Sequence, residues 1–224
     1  MIDLHTHTTF SDGELIPSEL ARRATKAGYQ AMAMTDHADF SNLDLILTNI
    51  GRFVAETGPF LGVTVLCGVE LTHVPPPLIP QLTALARQRG ASLVVVHGET
   101  IVEPVETGTN LAAIEAGVDI LAHPGLLTPE EAALAAERGV ALEITTRAGH
   151  SLTNGHVAVL ARRFGCTLVI DNDAHAPDDL VDAERRKNVA LGAGLSQEEY
   201  LRAEANAQAI VSRILGAGRS GSPI

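Results

Sequence analysis

The feature that most constrains this chain is an alternation that runs through most of its length. Short apolar, β-branched runs at residues 2–6, 31–35, 64–71, 92–96, 119–122, 141–145 and 167–170 are separated by helical patterns. Continuous apolar runs suit parallel strands buried on both faces, because a half-exposed strand alternates apolar with polar. The segments between them carry helix punctuation. Pro17 opens a helix over 17–27 that Gly28 stops, 43–57 stops at Gly58, and 78–89 stops at Gly90. A short helix covers 111–116, Thr128 caps 129–138, and 154–164 precedes Gly165. Ser196 opens a last helix to about 215 with Glu198 and Glu199 in its first turn. Seven β–α units without a second block of composition predict one α/β domain over 1–224, a parallel barrel rather than a doubly wound sheet. Only the Gly- and Ser-containing end, 216–224, reads as frayed.

Composition narrows what such a fold can do. The 224 residues are 46% hydrophobic, enough for a sizeable core and too apolar for a disordered chain. A formal charge of −11, from 16 Lys and Arg against 27 Asp and Glu, argues against coating extended nucleic acid. At 3% aromatic residues and no Trp, side chains for stacking bases are scarce. No Gly-x-Gly-x-x-Gly joins a strand to a helix, the one such string falling in the tail at 216–221, and no Gly-x-x-x-x-Gly-Lys-Ser/Thr loop occurs, so no nucleotide cradle is indicated. No signal peptide is visible at the N-terminus, and no apolar stretch approaches the roughly 20 residues of a membrane span. Cys67 and Cys166 sit in apolar runs and read as buried thiols. The expectation is a cytoplasmic protein in a reducing compartment, without membrane contact.

The chain carries nine histidines. Most fall where barrel enzymes build their sites, at the C-terminal ends of strands. The first run ends His5-Thr6-His7, with Asp12 close behind, and the second ends Thr35-Asp36-His37. The third delivers Glu70, the fourth His97 and Glu99, the fifth His123, and the sixth Glu143 through Arg147. The seventh ends Asp171-Asn172-Asp173-Ala174-His175. Residues i and i+2 of a strand point the same way, so His5 and His7 can share one ion. Imidazoles mixed with carboxylates suit Zn²⁺, Mn²⁺ or Fe²⁺ better than Ca²⁺ or Mg²⁺.

These motifs, in this order and spacing across residues 1 to about 180, resemble the PHP (polymerase and histidinol phosphatase) superfamily, and within it the stand-alone phosphoesterases related to histidinol phosphatase. The resemblance implies a distorted (β/α)₇ TIM-like barrel and three divalent ions. It places His5, His7, Glu70 and Asp173 on the first ion, and Glu70 as a bridge to a second held by His97 and His123. Asp12, His37 and His175 would hold the third. It further implies that a hydroxide bridging two ions hydrolyses a small phosphate ester. Glu70, His37 and Arg147 are then the candidate catalytic residues, with Arg147 on the substrate phosphate, since guanidinium matches phosphate bidentately.

Asp36, Glu99 and His150 are candidates for orienting ligands or protonating a leaving group. His73 and His156 read as ordinary histidines, and Arg162-Arg163 and Arg185-Arg186-Lys187 as solvated helix faces. Three rivals differ in sequence. An amidohydrolase-type barrel would commonly need a modified Lys on the fourth strand, but Lys26 and Lys187, the two lysines, fall in helical segments. A nuclease or nucleotide phosphoesterase of the PHP type would need less aromatic stacking only if its substrate were short. A non-catalytic sensing module fits poorly with an intact set of nine ligands.

Overall fold

The computed structural model describes the backbone of residues 1–220 and side chains through residue 216. In chain order the elements are β1 Ile2–Asp3, α1 Pro17–Ala27, β2 Ala31–Met34, β3 His37–Ala38, α2 Leu43–Thr57, β4 Thr64–Leu71, α3 Ile79–Gln88, β5 Leu93–His97, α4 Thr109–Ala116, β6 Ile120–Ala122, α5 Pro129–Arg138, β7 Ala141–Thr145, α6 Asn154–Phe164, β8 Leu168–Asp171, α7 Ala183–Gly192 and α8 Gln197–Ser220. All pairings are parallel, in the order β1-β2-β4-β5-β6-β7-β8, and β3 extends the line of β2 along β4. Seven strand positions therefore form a nearly closed barrel, as the alternation predicts.

Local chemistry sets the element ends. Pro17 stands at the first turn of α1 with its φ already helical, and Gly28 takes the left-handed φ of 88° that ends it. Thr128 and Glu131 form a reciprocal capping box at α5. α4 starts at Thr109, two residues before the expected start, because Glu99 Oε1 accepts the amides of Gly108 and Asn110 at 2.9 and 3.0 Å. That cap comes from a residue about ten positions upstream, so a local pattern does not reveal it. α8 continues to Ser220 where fraying was expected from 216; the remainder of that tail, 221–224, lies outside the described residues.

Side-chain alternation along the strands places the site. One face of the strands packs against the helices through Met32, Met34, Val65, Val69, Val94, Val96, Leu142 and Ile144. The other face lines the barrel, where Ala31, Ala33, Leu66, Leu93, Val95, Ile120 and Val169 meet Ala207 and Val211 of α8, which plugs the N-terminal end. Following that inner face toward the C-terminal end, the column changes character. Leu66 gives way to Glu70, Val95 to His97, Ala141 to Glu143, and Val169 to Asp171 and Asp173. The apolar plug and the polar mouth are thus two ends of the same strands.

The seam between β8 and β1 is held differently. Its one backbone bridge pairs Thr6 with Ala174. Below it, Asp171 Oδ1 accepts the amide of Leu4 at 2.6 Å, and Asp3 accepts the amide and side-chain nitrogen of Asn172 at 3.1 and 2.7 Å. Carboxylates here take the place of strand carbonyls. Arg186, expected on a solvated face, is instead fully buried at this seam. Consecutive helical residues lie about 100° apart, so three neighbouring cations cannot all face water on a packed helix. Arg162 and Arg163 are exposed, as expected. Both cysteines are free thiols, and burial pushes Cys67 up to about 11. Among the described residues no helix is long and apolar enough to cross a membrane.

Candidate metal centre

The polar mouth converges on Glu70, which β4 presents fully buried. Its carboxylate lies 3.2 Å from His5 Nε2, 2.6 Å from His37 Nδ1, and 3.7 Å from both His7 Nε2 and His123 Nε2. Asp173 stands opposite, 3.1 Å from His7 Nε2, 3.6 Å from His5 Nε2 and 3.8 Å from His123 Nε2. On the outer side, Asp12 reaches His175 Nε2 at 3.2 Å and His37 Nε2 at 3.5 Å. All nine expected ligands therefore meet at one mouth. Asp173 and His123 hold positive φ values of 52° and 26°, uncommon for non-glycine residues and characteristic of functional sites.

Four sets of side chains bring ligand atoms within 4.8 Å of one another: His7-Asp12-His37-His175, His97-His123-His150, His5-His7-Asp173 and His5-His123-Glu143. The grouping departs from the expectation in four respects. His7 serves the outer set as well as the inner one, His150 joins His97 and His123, Glu143 joins the inner wall, and Glu70 belongs to none of the four sets although it faces four of their imidazoles. Glu143 Oε2 sits 2.7 Å from His5 Nδ1, which leaves Nε2 directed into the mouth. Sequence placed Glu143 at a strand end but assigned it no role, and its position one alternation from the rim was the available signal.

The mouth also passes a test of fit for cations. His5 Nε2, both ring nitrogens of His7, Glu70 Oε1 and His123 Nδ1 are buried with no hydrogen-bond partner. Buried polar atoms are normally paired, and unpaired ones gathered on the residues around Glu70 and Asp173 fit metal ligands. The remaining candidates sort by geometry. Asp36 accepts bonds from the Thr8 amide and hydroxyl and from the Ser11 hydroxyl at 2.7–2.8 Å, so it braces the β1 loop and does not face the ions. Glu99 caps α4. Arg147 lies beside the mouth, with Nη1 3.1 Å from the Asp173 carbonyl and 3.1 Å from Asp179 Oδ2. His156 Nε2 donates to the Leu127 carbonyl at 2.8 Å, away from the cluster, while exposed His73 lies 5.5 Å from the His97 ring.

Electrostatics follow from this crowding. Burial raises the carboxyl of Glu70, but His5 and His37 outweigh it and hold the group well below its ordinary value. Burial disfavours a charged His37, yet Glu70 and Asp12 overcome that and raise it to about 9. His5 is raised for a similar reason by Glu70 and Glu143. Burial lowers His7 to about 3, so it stays neutral and ready to ligate. Protons thus occupy the centre where cations would otherwise balance Glu70 and Asp173. A cation entering beside His37 must expel its proton, so apparent affinity should rise about tenfold per pH unit up to about 9. Calorimetric titration at pH 7.5 in buffers of different ionisation enthalpy should show at least one proton released per chain. Uptake without proton release would refute this coupling. The sign for stability is separate: the His37 charge favours the metal-free fold below its ordinary 6.5 and is lost as pH rises through about 9.

A parallel barrel whose C-terminal mouth gathers buried imidazoles and carboxylates defines a metal-site barrel. Residues 3–100 match the PHP domain, and the chain belongs to that family. An uncharacterized protein of Methanocaldococcus jannaschii is 51% identical over 88% of this chain and 91% of its own length. The Bacillus subtilis DNA polymerase/3'-5' exonuclease PolX is 29% identical over 80% of this chain, which spans 35% of that polymerase. A probable phosphatase of Thermoanaerobacter is also 29% identical, over 90% of this chain and 89% of its own. The Lactococcus lactis histidinol phosphate phosphatase, solved with zinc, L-histidinol and phosphate, shares the fold at a TM-score of 0.62 and 17% identity, covering 87% of this chain and 94% of that one.

Proposed function

We propose that this protein is a metal-dependent phosphoesterase that hydrolyses a small phosphate ester at a three-ion centre. The observation that carries the reading is Glu70, fully buried and within 3.7 Å of four imidazoles. His5, His7, Glu70 and Asp173 would hold the first ion, Glu70, His97 and His123 the second, and Asp12, His37 and His175 the third. When bound, divalent ions supply a water of lowered pKa as nucleophile and positive charge for phosphoryl oxygens. The chain's own part is positioning. Glu143 fixes the tautomer of His5, and Glu70 spans the wall between the inner histidines and His37. Arg147, 28% exposed beside the mouth, can turn from Asp179 to a phosphoryl oxygen and orient the ester. No lysine approaches the mouth, since Lys26 lies in α1 and Lys187 in α7, which disfavours the amidohydrolase chemistry.

The likeness to a probable phosphatase over 89% of its length supports a small monoester. A second reading, cleavage of nucleotide phosphodiesters, is favoured by the likeness to PolX. The net charge of −11 weighs against a long strand. The deciding experiment compares histidinol phosphate, a mononucleotide and a labelled single-stranded oligonucleotide with protein loaded separately with Zn²⁺, Mn²⁺ or Fe²⁺. Phosphate release from a small ester, with the oligonucleotide left intact, is the expected result. Shortened oligonucleotide without free phosphate from either monoester selects the second reading, and no turnover at confirmed metal occupancy rejects both.

A further inference from the structure

The nine ligands of the proposed centre leave one buried histidine at the mouth without a task. His150 opens the turn after β7, 6% exposed, three residues beyond Arg147. Its ring stacks on His123 with centroids 4.2 Å apart and meets His97 edge-on at 5.9 Å. A ligand atom from each of these three imidazoles lies within 4.8 Å of the others.

Three further observations separate His150 from a merely packed histidine. Its Nδ1 is anchored on the Thr100 hydroxyl at 2.8 Å. Four of the six expected histidine ligands show that same arrangement: His5 Nδ1 on Glu143, His37 Nδ1 on Thr72, His97 Nδ1 on the Gly98 carbonyl and His175 Nδ1 on the Asp173 carbonyl, whereas Nδ1 of His7 and His123 is unpartnered. Anchoring Nδ1 leaves Nε2 free to ligate. Second, the Nε2 atoms of His97 and His150 converge. A single carboxylate, Glu103 on the loop after β5, reaches them with its two oxygens at 3.0 and 3.4 Å. Third, His150 Nε2 lies 4.0 Å from Asp173 Oδ2, so it faces the inner ion wall and not solvent.

We infer that His150 is an additional metal ligand, which makes the second position a three-imidazole site of His97, His123 and His150 beside Glu70. The inference rests on the metal centre proposed above and adds a ligand that the nine-residue pattern does not contain. It has two chemical consequences. Three nitrogen donors shift the preference of this position toward Zn²⁺ or Co²⁺ and away from Mn²⁺. The turn that carries His150 also carries Arg147, so occupancy of this position ties the phosphate-contacting loop to the metal wall.

Cobalt binding tests this without relying on turnover. The full chain would be titrated with Co²⁺ and followed by visible absorption and elemental analysis, with His150→Ala and His150→Gln beside wild type and His156→Ala as control. The expected result is at least about tenfold weaker binding at one position in both His150 variants, with an altered visible band and the other positions unchanged. His156→Ala should match wild type. Thr100→Val, which keeps the imidazole but removes its anchor, should weaken the same position by a smaller factor and guards against misfolding of the other variants. Wild-type stoichiometry, affinity and spectrum in both folded His150 variants would overturn the inference. A wild-type chain that binds no cobalt would instead overturn the metal centre itself, and that outcome is visible before any variant is made.

Discussion

Glu70→Gln should reduce phosphoester hydrolysis by about 10³-fold or more and lower the metal content of the purified protein. The substitution keeps the shape and removes one negative charge from a carboxylate that faces four imidazoles. In the native chain that charge faces His5 at 3.2 Å, His37 at 2.6 Å, and His7 and His123 at 3.7 Å. An amide oxygen is a weaker ligand than a carboxylate, and Asp173, which also acts on both His5 and His37, has the smaller effect on each. Losing an ion's worth of charge stabilisation in a buried site costs about 4 kcal/mol, which is about 10³ in rate. The same change should lower the affinity of His5 and His37 for protons, because Glu70 is the largest force raising both. Proton release on metal binding at pH 7.5 should therefore shrink in the variant. A Glu70→Gln protein that retains full metal content and turns over within about tenfold of wild type would remove Glu70 from the centre of the mechanism.

The residues legible in the sequence share a property: each ends an apolar run. His5 and His7, His37, Glu70, His97, His123, and Asp173 with His175 stand where a buried strand emerges, so strand patterning alone places them on one rim. The barrel was legible for the same reason, since its signal is local and repeated in every unit. Residues recruited by loops were harder to assign. Glu103 meets His97 and His150 although 47 residues separate it from His150, and neither the loop after β5 nor the turn after β7 has a pattern that encodes the meeting. Asp36 shows the reverse. It ends a run beside His37, yet period-two alternation turns it to the other side, where it braces Thr8 and Ser11. Position at a strand end selects the rim, and parity along the strand decides which neighbours face the ions.

Arg186→Met should destabilise the fold by about 3–5 kcal/mol, the cost of leaving buried charges without their partner. Arg186 is fully buried, donates to the Ile2 carbonyl of β1 at 2.6 Å and to the Ile170 carbonyl of β8, and pairs with Glu204 of α8 at 2.6 Å. It therefore joins both sides of the seam that has a single backbone bridge, and ties them to the helix plugging the barrel. Burial raises Asp3 to about 6 and raises Asp171 well above its ordinary value, with Arg186 opposing both. Without the guanidinium these carboxyls should rise further and hold protons in the folded state that the unfolded chain releases. A group raised in the fold costs stability as pH increases, so the penalty should be larger at pH 8 than at pH 5. At this chain length the loss corresponds to a fall in Tm of about 6–20 °C. Urea unfolding at the two pH values measures both quantities, and adding Asp171→Asn should recover part of the loss at pH 8. A penalty below about 1 kcal/mol, or one that grows toward acid pH, would show that the seam closes without Arg186.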